Sequence, residues 1–345
     1  MDAIAIVESA YALSGTESEW IHRLARTIRQ NWEDPRWLSA WTFDVKTPAV
    51  ARASAVLDLD EEEGRKNMRH LFAAMWDLDP VPFWGRMLVG TLRGAPDRYR
   101  RRGVDEVRVR AFEGVLEAAL PRWGLEDELW INAPDPTGIG FCMIAPMSRR
   151  GPLSAPEKHR LGCIASHIAT AFRVRRQFVS LDANETRDPL TAAEAILSPD
   201  GTLQHAERPA AHDRARVALR GAVRAVDRAR GPLRRSEADE ALATWRALVA
   251  GRWSLVDHFD TDGRRFIVAH RNDARVPDPR GLTLRERQIL AYSRLGHSNK
   301  AIAYALGLSI STISTHLARA RAKLKLPLVA ALNLSDAGPA GAVTT

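Results

Sequence analysis

The sequence predicts a multidomain protein in which two α+β units precede an all-α unit at the carboxyl terminus. Its 345 residues exceed one ordinary domain, and 45% of them are hydrophobic, which is enough for several cores. Turn-separated strand patterns occur twice, and short helix patterns with capping residues follow them. The predicted segments are units at 1–178, 188–272 and 281–333, a linker at 273–280 and a flexible tail at 334–345.

The first unit combines helix and hairpin signals. An amphipathic helix around Trp20 begins it, and strand patterns at 127–132 and 139–146 flank a turn-rich segment, which predicts a hairpin. Ser154 and Glu157 then form a capping box at the start of a long helix that extends to about residue 181. This order of elements resembles a GAF-type sensor domain.

The second unit contains two further strand pairs. Each pair is interrupted by an Asp-Gly turn, at Gly201 and at Gly263, and an arginine-rich helical stretch lies between them. The arrangement resembles a small PAS domain. Pro277 and Pro279 mark the segment that follows as a linker.

Basic residues are concentrated near the carboxyl terminus. The whole chain carries a formal charge of +8, and from Gly281 to Ala330 there are eight lysines and arginines against one acid, Glu286. A concentrated positive charge favours an anionic partner such as nucleic acid.

The same segment has the signals of three short packed helices. Thr283 and Glu286 form a capping box, Ser298 and Ser309 are caps for the next two helices, and Gly307 allows a sharp turn between them. The residues predicted to face the core are Ile302, Ala303, Leu306, Ile313, Leu317, Ala320 and Leu324.

These residues resemble the LuxR-type (GerE) helix-turn-helix family over about 45 residues. The resemblance implies a tetrahelical domain whose helix at 309–324 enters the major groove of DNA, in a sequence-specific transcription regulator. The matching residues are Leu282-Thr-x-Arg-Glu-Arg, Gly296-x-Ser-Asn-Lys-x-Ile-Ala303, Leu306, Ser309-x-x-Thr312-Ile313, His316 and Lys323-Leu324.

The resemblance also assigns roles to the outward residues. Lys300, Thr312 and Arg319 would hold phosphates, whereas Ser314 replaces the family's usual lysine, so we expect base readout through short side chains and thymine methyl groups. A fourth helix would start near residue 326. The predicted DNA-binding residues are Lys300, Thr312, Ser314, Thr315, Ala318, Arg319 and Lys323.

The tryptophan-rich segment of the first unit provides a candidate signal site. Trp76, Asp79 and Trp84 resemble the Asp-Pro and tryptophan of autoinducer-binding LuxR proteins, which predicts a small-molecule pocket; ordinary core packing explains the same residues. An alternative is a switch in which the amino-terminal domains bind a protein partner and thereby gate DNA binding.

A homodimer is predicted, because two helix-turn-helix units must lie about 34 Å apart to meet successive major grooves. The long helix after Ser154 offers an apolar row for a parallel dimer seam, although a buried core accounts for this row equally well. The row consists of Leu161, Ile164, Ile168, Ala171 and Phe178.

The same helix carries three side chains that could ligate a metal. His159, Cys163 and His167 recur every four residues, but the sequence shows no fourth ligand, so we interpret them as a half-exposed helix face. We predict neither a metal nor a cofactor.

Other function classes lack their sequence signals. No run of eighteen apolar residues and no basic leader occurs, which predicts a cytoplasmic protein without a membrane partner. Gly138-Ile-Gly140 lacks the strand-to-helix context of a dinucleotide site, and no other catalytic signature is present, so we do not expect an enzyme.

Overall fold

The structure is a computed structural model that describes residues 1–32, 38–44, 54–57, 90–93, 127–134, 139–147, 153–178, 190, 193–272, 283–294 and 297–324. Its helices are α1 Ala3–Tyr11, α2 Glu17–Gln30, α3 Ala155–Phe178, α4 Asp213–Arg230, α5 Pro232–Ser236, α6 Ala238–Thr244, α7 Leu284–Arg294, α8 Asn299–Leu306 and α9 Ile310–Leu324. Its strands are β1 Leu38–Asp44, β2 Ser54–Leu57, β3 Gly90–Arg93, β4 Asp127–Pro134, β5 Ile139–Met147, β6 Ala193–Leu197, β7 Leu203–Ala206, β8 Trp253–Phe259 and β9 Arg265–Arg271.

The amino-terminal α+β region is built on an antiparallel sheet with the strand order β2-β1-β5-β4-β3. The predicted hairpin is confirmed as β4 and β5, whose register runs from Asp127 opposite Met147 to Pro134 opposite Gly140. Strand β1 pairs with the other edge of β5. Strands β4 and β5, which are consecutive in the sequence, are therefore neighbours in the sheet, and β5 is its central strand.

Two helices precede this sheet. The predicted amphipathic helix is α2, which begins with a capping box between Thr16 and Glu19 and buries Trp20 against Phe172 at a ring-centroid distance of 5.2 Å. We expected α2 to begin the unit, but α1 precedes it. Helix α1 is apolar on most of its surface and is largely buried, so it lacks the polar face that marks a surface helix in a sequence.

The long helix predicted after the capping box is confirmed as α3. The Ser154 backbone amide donates to Glu157 Oε2 at 2.8 Å, and the Glu157 amide donates to Ser154 Oγ at 3.4 Å. The apolar row considered for a dimer seam is buried in the chain's own core. Of the two explanations left open by the sequence, the structure supports the core.

The second sheet is also antiparallel and has the order β7-β6-β9-β8. Both predicted strand pairs are present, and their turns contain Gly201 at φ 87° and Gly263 at φ 74°, a left-handed conformation that glycine adopts without strain. The arginine-rich stretch between the pairs is α4.

The two sheets share one continuous hydrophobic cluster. Helix α3 connects them, since Phe178 at its end packs edge-on against His270 of β9, with ring centroids 4.6 Å apart. Tyr11 of α1 stacks on Trp245 after α6 at 5.9 Å. Helices α7 to α9 enclose a second cluster, which includes Leu248 from the segment before β8.

Several expectations lie outside the described residues: the linker at 273–280, the fourth helix near residue 326, the tail at 334–345 and the candidate pocket residues Trp76, Asp79 and Trp84. In the described part of the chain, no single helix has both the length and the apolar character needed to cross a membrane.

Candidate DNA-binding interface

The carboxyl-terminal helices begin where the sequence predicts. At α7, the Thr283 amide donates to Glu286 Oε2 at 2.8 Å, and the Glu286 amide donates to Thr283 Oγ1 at 3.2 Å. This reciprocal pair satisfies two amides that have no partner inside the helix. Helix α7 is thereby fixed as the support on which α8 and α9 pack.

Helices α8 and α9 meet at 108°, within the range of helix-turn-helix units. Ser298 Oγ accepts the Ala301 amide at 3.2 Å and caps α8, while Gly307 ends α8 at φ 63° and ψ 37°. Only glycine adopts this conformation readily, and a Cβ atom on Gly307 would overlap the Leu248 carbonyl oxygen.

Helix α9 buries one face and exposes the other. Ser309 Oγ accepts the Thr312 amide at 3.1 Å and caps the helix, as predicted. The side chain of Leu324, which we also assigned to the core, lies outside the described residues. The remaining residues assigned to the core are buried, namely Ile302, Ala303, Leu306, Ile313, Leu317 and Ala320.

We call the outward side chains at 314, 315, 318 and 319 the reading face of α9; all four are exposed. Asn299 Nδ2 donates to Ser314 Oγ at 3.3 Å, which ties this hydroxyl to the start of α8. Thr315 Oγ1 donates to the Ser311 carbonyl at 3.0 Å, so its methyl group is the part left for an apolar contact. The face can accept hydrogen bonds and contact methyl groups.

Two exposed cations of this domain form no salt bridge with any described residue. Arg319 belongs to the reading face, whereas Lys300 lies at the start of α8, one turn before Tyr304 and close to His159 of α3. Thr312 is half-buried, with its hydroxyl 2.7 Å from Ser309 Oγ. Lys323 is in the last turn of α9, and its side chain lies outside the described residues.

Two members of this surface were missed at the level of sequence. Ile310, in the first turn of α9, is 51% exposed, and Asn299 contacts the reading face from α8. The sequence signal for Ile310 is its position: it is a large apolar residue directly after the capping Ser309 and lies outside the buried row of α9. Burial and the nearby cations Arg285 and Arg319 lower the pKa of His316, so His316 adds no charge to this surface at neutral pH.

A second surface of the domain, which contains Tyr304 and Arg285 and which we call the docking face, contacts the amino-terminal region. Tyr304 of α8 packs against the amino-terminal hydrophobic cluster, and its hydroxyl donates to the Leu242 carbonyl at 2.6 Å. Leu248, from the segment before β8, likewise belongs to the hydrophobic cluster of helices α7 to α9. Arg285 Nη2 donates to the Ala250 carbonyl at 2.6 Å, beside these contacts.

His167 lies at the centre of this contact. Its Nε2 is 2.8 Å from the Trp245 carbonyl and 3.0 Å from the Tyr304 hydroxyl, and its Nδ1 is 3.3 Å from the Tyr11 hydroxyl. Burial lowers the pKa of His167 to about 3, so the ring is neutral. Because a carbonyl only accepts, Nε2 carries the proton and donates to Trp245.

The interpretation of His159, Cys163 and His167 as a half-exposed helix face is wrong for two of them. His167 is fully buried and Cys163 is 3% exposed, because the residues around Trp245 and Tyr304 cover this side of α3. Burial raises the pKa of Cys163 to about 12, so its thiol stays protonated. Among the described residues, no group of three or more potential ligands could hold a metal ion.

The comparison with known protein families agrees with this geometry at the carboxyl terminus. No curated protein matches the chain. The crystal structure of Escherichia coli SdiA is similar, with a TM-score of 0.31 and 12% identity, over 92% of this chain and 88% of that chain. The family described as "Bacterial regulatory proteins, luxR family" matches residues 280–332. Together with the capped α7 to α9 and the 108° turn, this match identifies the carboxyl-terminal domain as a LuxR-family helix-turn-helix DNA-binding domain.

Proposed function

We propose that the protein is a transcription regulator that binds specific double-stranded DNA with α9 in the major groove, under the control of a small-molecule signal in its amino-terminal region. The observation that carries this proposal is the reading face. It is exposed, belongs to a LuxR-type domain, includes the cation Arg319 and is contacted by Asn299, the residue before Lys300. Such a protein would act in the cytoplasm, where bacterial DNA lies.

The proposed roles follow from charge and side-chain length. Lys300 and Arg319 contact phosphates and set the register of the domain, with Thr312 and Lys323 adding further phosphate contacts. Ser314, Thr315 and Ala318 face base edges. Since all three are short, we expect a preference for thymine methyl groups and for local DNA shape over guanine recognition by a long cation.

The amino-terminal region is proposed to contain a GAF-like domain at 1–178 and a PAS-like domain at 188–272, with the signal pocket in the first. Two antiparallel sheets with flanking helices support this division. The candidate pocket residues remain Trp76, Asp79 and Trp84. The test is a change in melting temperature when the full chain is incubated with candidate acyl-lactones, compared with Asp79→Asn.

The docking face supplies a route for control. Tyr304 connects α8 to α3 and to the segment after α6 through hydrogen bonds of 2.6 to 3.0 Å. A signal that moves α3 therefore changes the position of the DNA-binding domain without a direct contact to DNA.

We also propose that the protein binds DNA as a homodimer, whose two domains meet successive major grooves. Since the apolar row of α3 is occupied by the chain's own core, the dimer contact belongs on another surface. Sedimentation of the full chain with and without a DNA duplex tests this point.

The test of DNA binding is a salt titration with a mixed-sequence duplex. Replacing both Lys300 and Arg319 with alanine should reduce the slope of log affinity against log salt by about 1.8, because each lost phosphate contact contributes about 0.9. Arg264→Ala is the control, since Arg264 is exposed in the β8–β9 turn. An unchanged slope in the double variant would refute the proposed docking.

The alternative, a protein partner for the amino-terminal domains, calls for an exposed apolar patch. Among the described residues, the large hydrophobic side chains that are exposed are Met1, Val217, Phe259 and Ile310. They lie on separate elements of the described part of the chain. The alternative is tested by whether the full chain, without added small molecule, binds a protein partner that changes its affinity for DNA.

A further inference from the structure

Helix α4 carries more positive charge than its packing requires. It contains six arginines and two aspartates, and Arg214 and Arg228 are exposed without an acidic partner among the described residues. Arg246, on the segment after α6, is likewise exposed and without an acidic partner in that part of the chain. Arg246 lines one feature of the structure, and Arg214 and Arg228 lie within about one helical turn of the part of α4 that forms its wall.

That feature is a groove of about 340 Å³ between α4 and the α8–α9 turn. One wall is the row of small residues on α4 that includes Ala218 and Ala222, and the other contains Gly307 and Leu308. Because these side chains are small, a bulky polymer chain can approach the backbone of α4 closely. Small apolar residues form most of its lining, Arg246 is charged, and no aspartate or glutamate is among the described residues that line it.

Helix geometry places the cations at the rim. Arg214 precedes Ala218 by four residues and Arg228 follows Ala225 by three, so both share the edge of α4 that faces the groove. Arg246 lines the groove directly. The charge of the rim is therefore complementary to a phosphodiester chain.

The wall of the groove leads along the chain into the capped start of α9. Leu308 in its wall is followed by Ser309, which caps α9 and accepts the amide of Thr312. We assign Thr312 to a phosphate of the bound duplex. A DNA strand leaving Thr312 toward the α8–α9 turn would reach the groove next.

We propose that this groove holds a sugar–phosphate strand of the duplex read by α9, with Arg214, Arg228 and Arg246 contacting its phosphates. The proposal rests on the proposed function and extends it to a surface outside the helix-turn-helix domain. The amino-terminal region thus contributes to DNA affinity directly while its docked position is maintained.

The test compares two triple variants of the full chain on a mixed-sequence duplex of about 40 base pairs, long enough to extend past the domain's own footprint. The first is Arg214→Ala, Arg228→Ala and Arg246→Ala. The matched control is Arg216→Ala, Arg220→Ala and Arg264→Ala, which removes the same charge, because Arg216 and Arg220 lie two residues from Ala218 and hence on another side of α4.

The groove triple should lower the salt slope by up to about 2.7, at about 0.9 for each phosphate contact, and weaken binding at least tenfold at moderate salt. The control triple should shift the slope by less than about 0.9. Ala222→Glu, which puts a carboxylate into the groove, should also weaken binding while the circular dichroism spectrum stays that of the wild type.

Equal slopes for the two triples, together with unchanged binding by Ala222→Glu, would overturn the groove proposal. The variant lacking Lys300 and Arg319 separates this failure from that of the function itself. If that variant loses binding and the groove triple does not, α9 binds DNA and the groove does not. If the wild type binds no duplex, both proposals fail.

Discussion

The reading face and the docking face belong to the same carboxyl-terminal domain but differ in how their polar groups are satisfied. On the docking face, the hydroxyl of Tyr304 lies against two carbonyls and His167 within the chain. On the reading face, Ser314 and Thr315 are exposed and make only local hydrogen bonds. The polar groups of the docking face find their partners within one chain, whereas the polar groups of the reading face are accessible to another molecule.

This difference predicts that substitutions on the docking face affect stability first, while those on the reading face affect DNA binding first. Tyr304→Ala should have the largest effect, a loss of up to about 3 to 5 kcal/mol, the range for large aromatic side chains in a core, because Tyr304 is partly buried and also loses its hydrogen bonds. Urea denaturation followed by tryptophan fluorescence measures it, since the indole of Trp245, next to this contact, is buried in the folded chain and becomes exposed on unfolding.

Tyr304→Phe is the control for that substitution. It keeps the ring and removes the hydroxyl, so we expect a smaller loss of about 1 to 3 kcal/mol from the polar groups left without a partner. If the alanine and phenylalanine variants were both as stable as the wild type, the docking of α8 on the amino-terminal region would be contradicted.

Gly307→Ala should have the next largest effect. Gly307 has φ 63°, and its Cβ would overlap the Leu248 carbonyl, so strain and overlap together should cost about 2 to 5 kcal/mol. Gly263→Ala is a matched control, since its φ is 74° but no atom lies within 4 Å of its Cβ. Thermal melts should show a clearly smaller shift for Gly263→Ala, and equal shifts would remove the steric argument.

The pH dependence of stability gives a smaller and more specific effect. His167 has a pKa of about 3 in the folded chain, whereas it titrates near 6.5 when unfolded, so the unfolded state binds more protons between these values. Stability should therefore fall as the pH drops below about 6.5, by up to about 1.4 kcal/mol for each pH unit.

Urea denaturation at pH 6.5 and pH 5 compares the wild type with His167→Gln. The variant should lose less stability over this interval, because glutamine does not titrate and most carboxylates are still ionised. The same loss in both proteins would show that His167 is not a buried neutral group.

The parts of the fold that the sequence predicts are those determined by local signals. The capping serines of α8 and α9, the glycine turns of the two hairpins and the buried row of α9 depend on residues within one or two turns of each other. The spacing of these residues along the chain is enough to predict these caps, turns and buried row. The reading face belongs to this class, because it is the surface left over when the buried row is assigned.

The parts that were wrong or missed depend on contacts between distant segments. His167 was assigned to a half-exposed face, and it is buried because Tyr304 and Trp245, 137 and 78 residues away, cover it. Helix α1 lacks a polar face because several elements surround it. Ile310 was missed because an exposed apolar residue is a departure from the pattern on which the prediction depends.

The central claim is that the reading face of α9 selects a DNA sequence. Selection of bound duplexes from a random library by the full chain tests it directly, with Thr315→Ala as the comparison. We expect the wild type to enrich one motif containing thymine at defined positions, and Thr315→Ala to relax the thymine preference at one position of each half-site. No enriched motif, or the same motif from both proteins, would contradict the account.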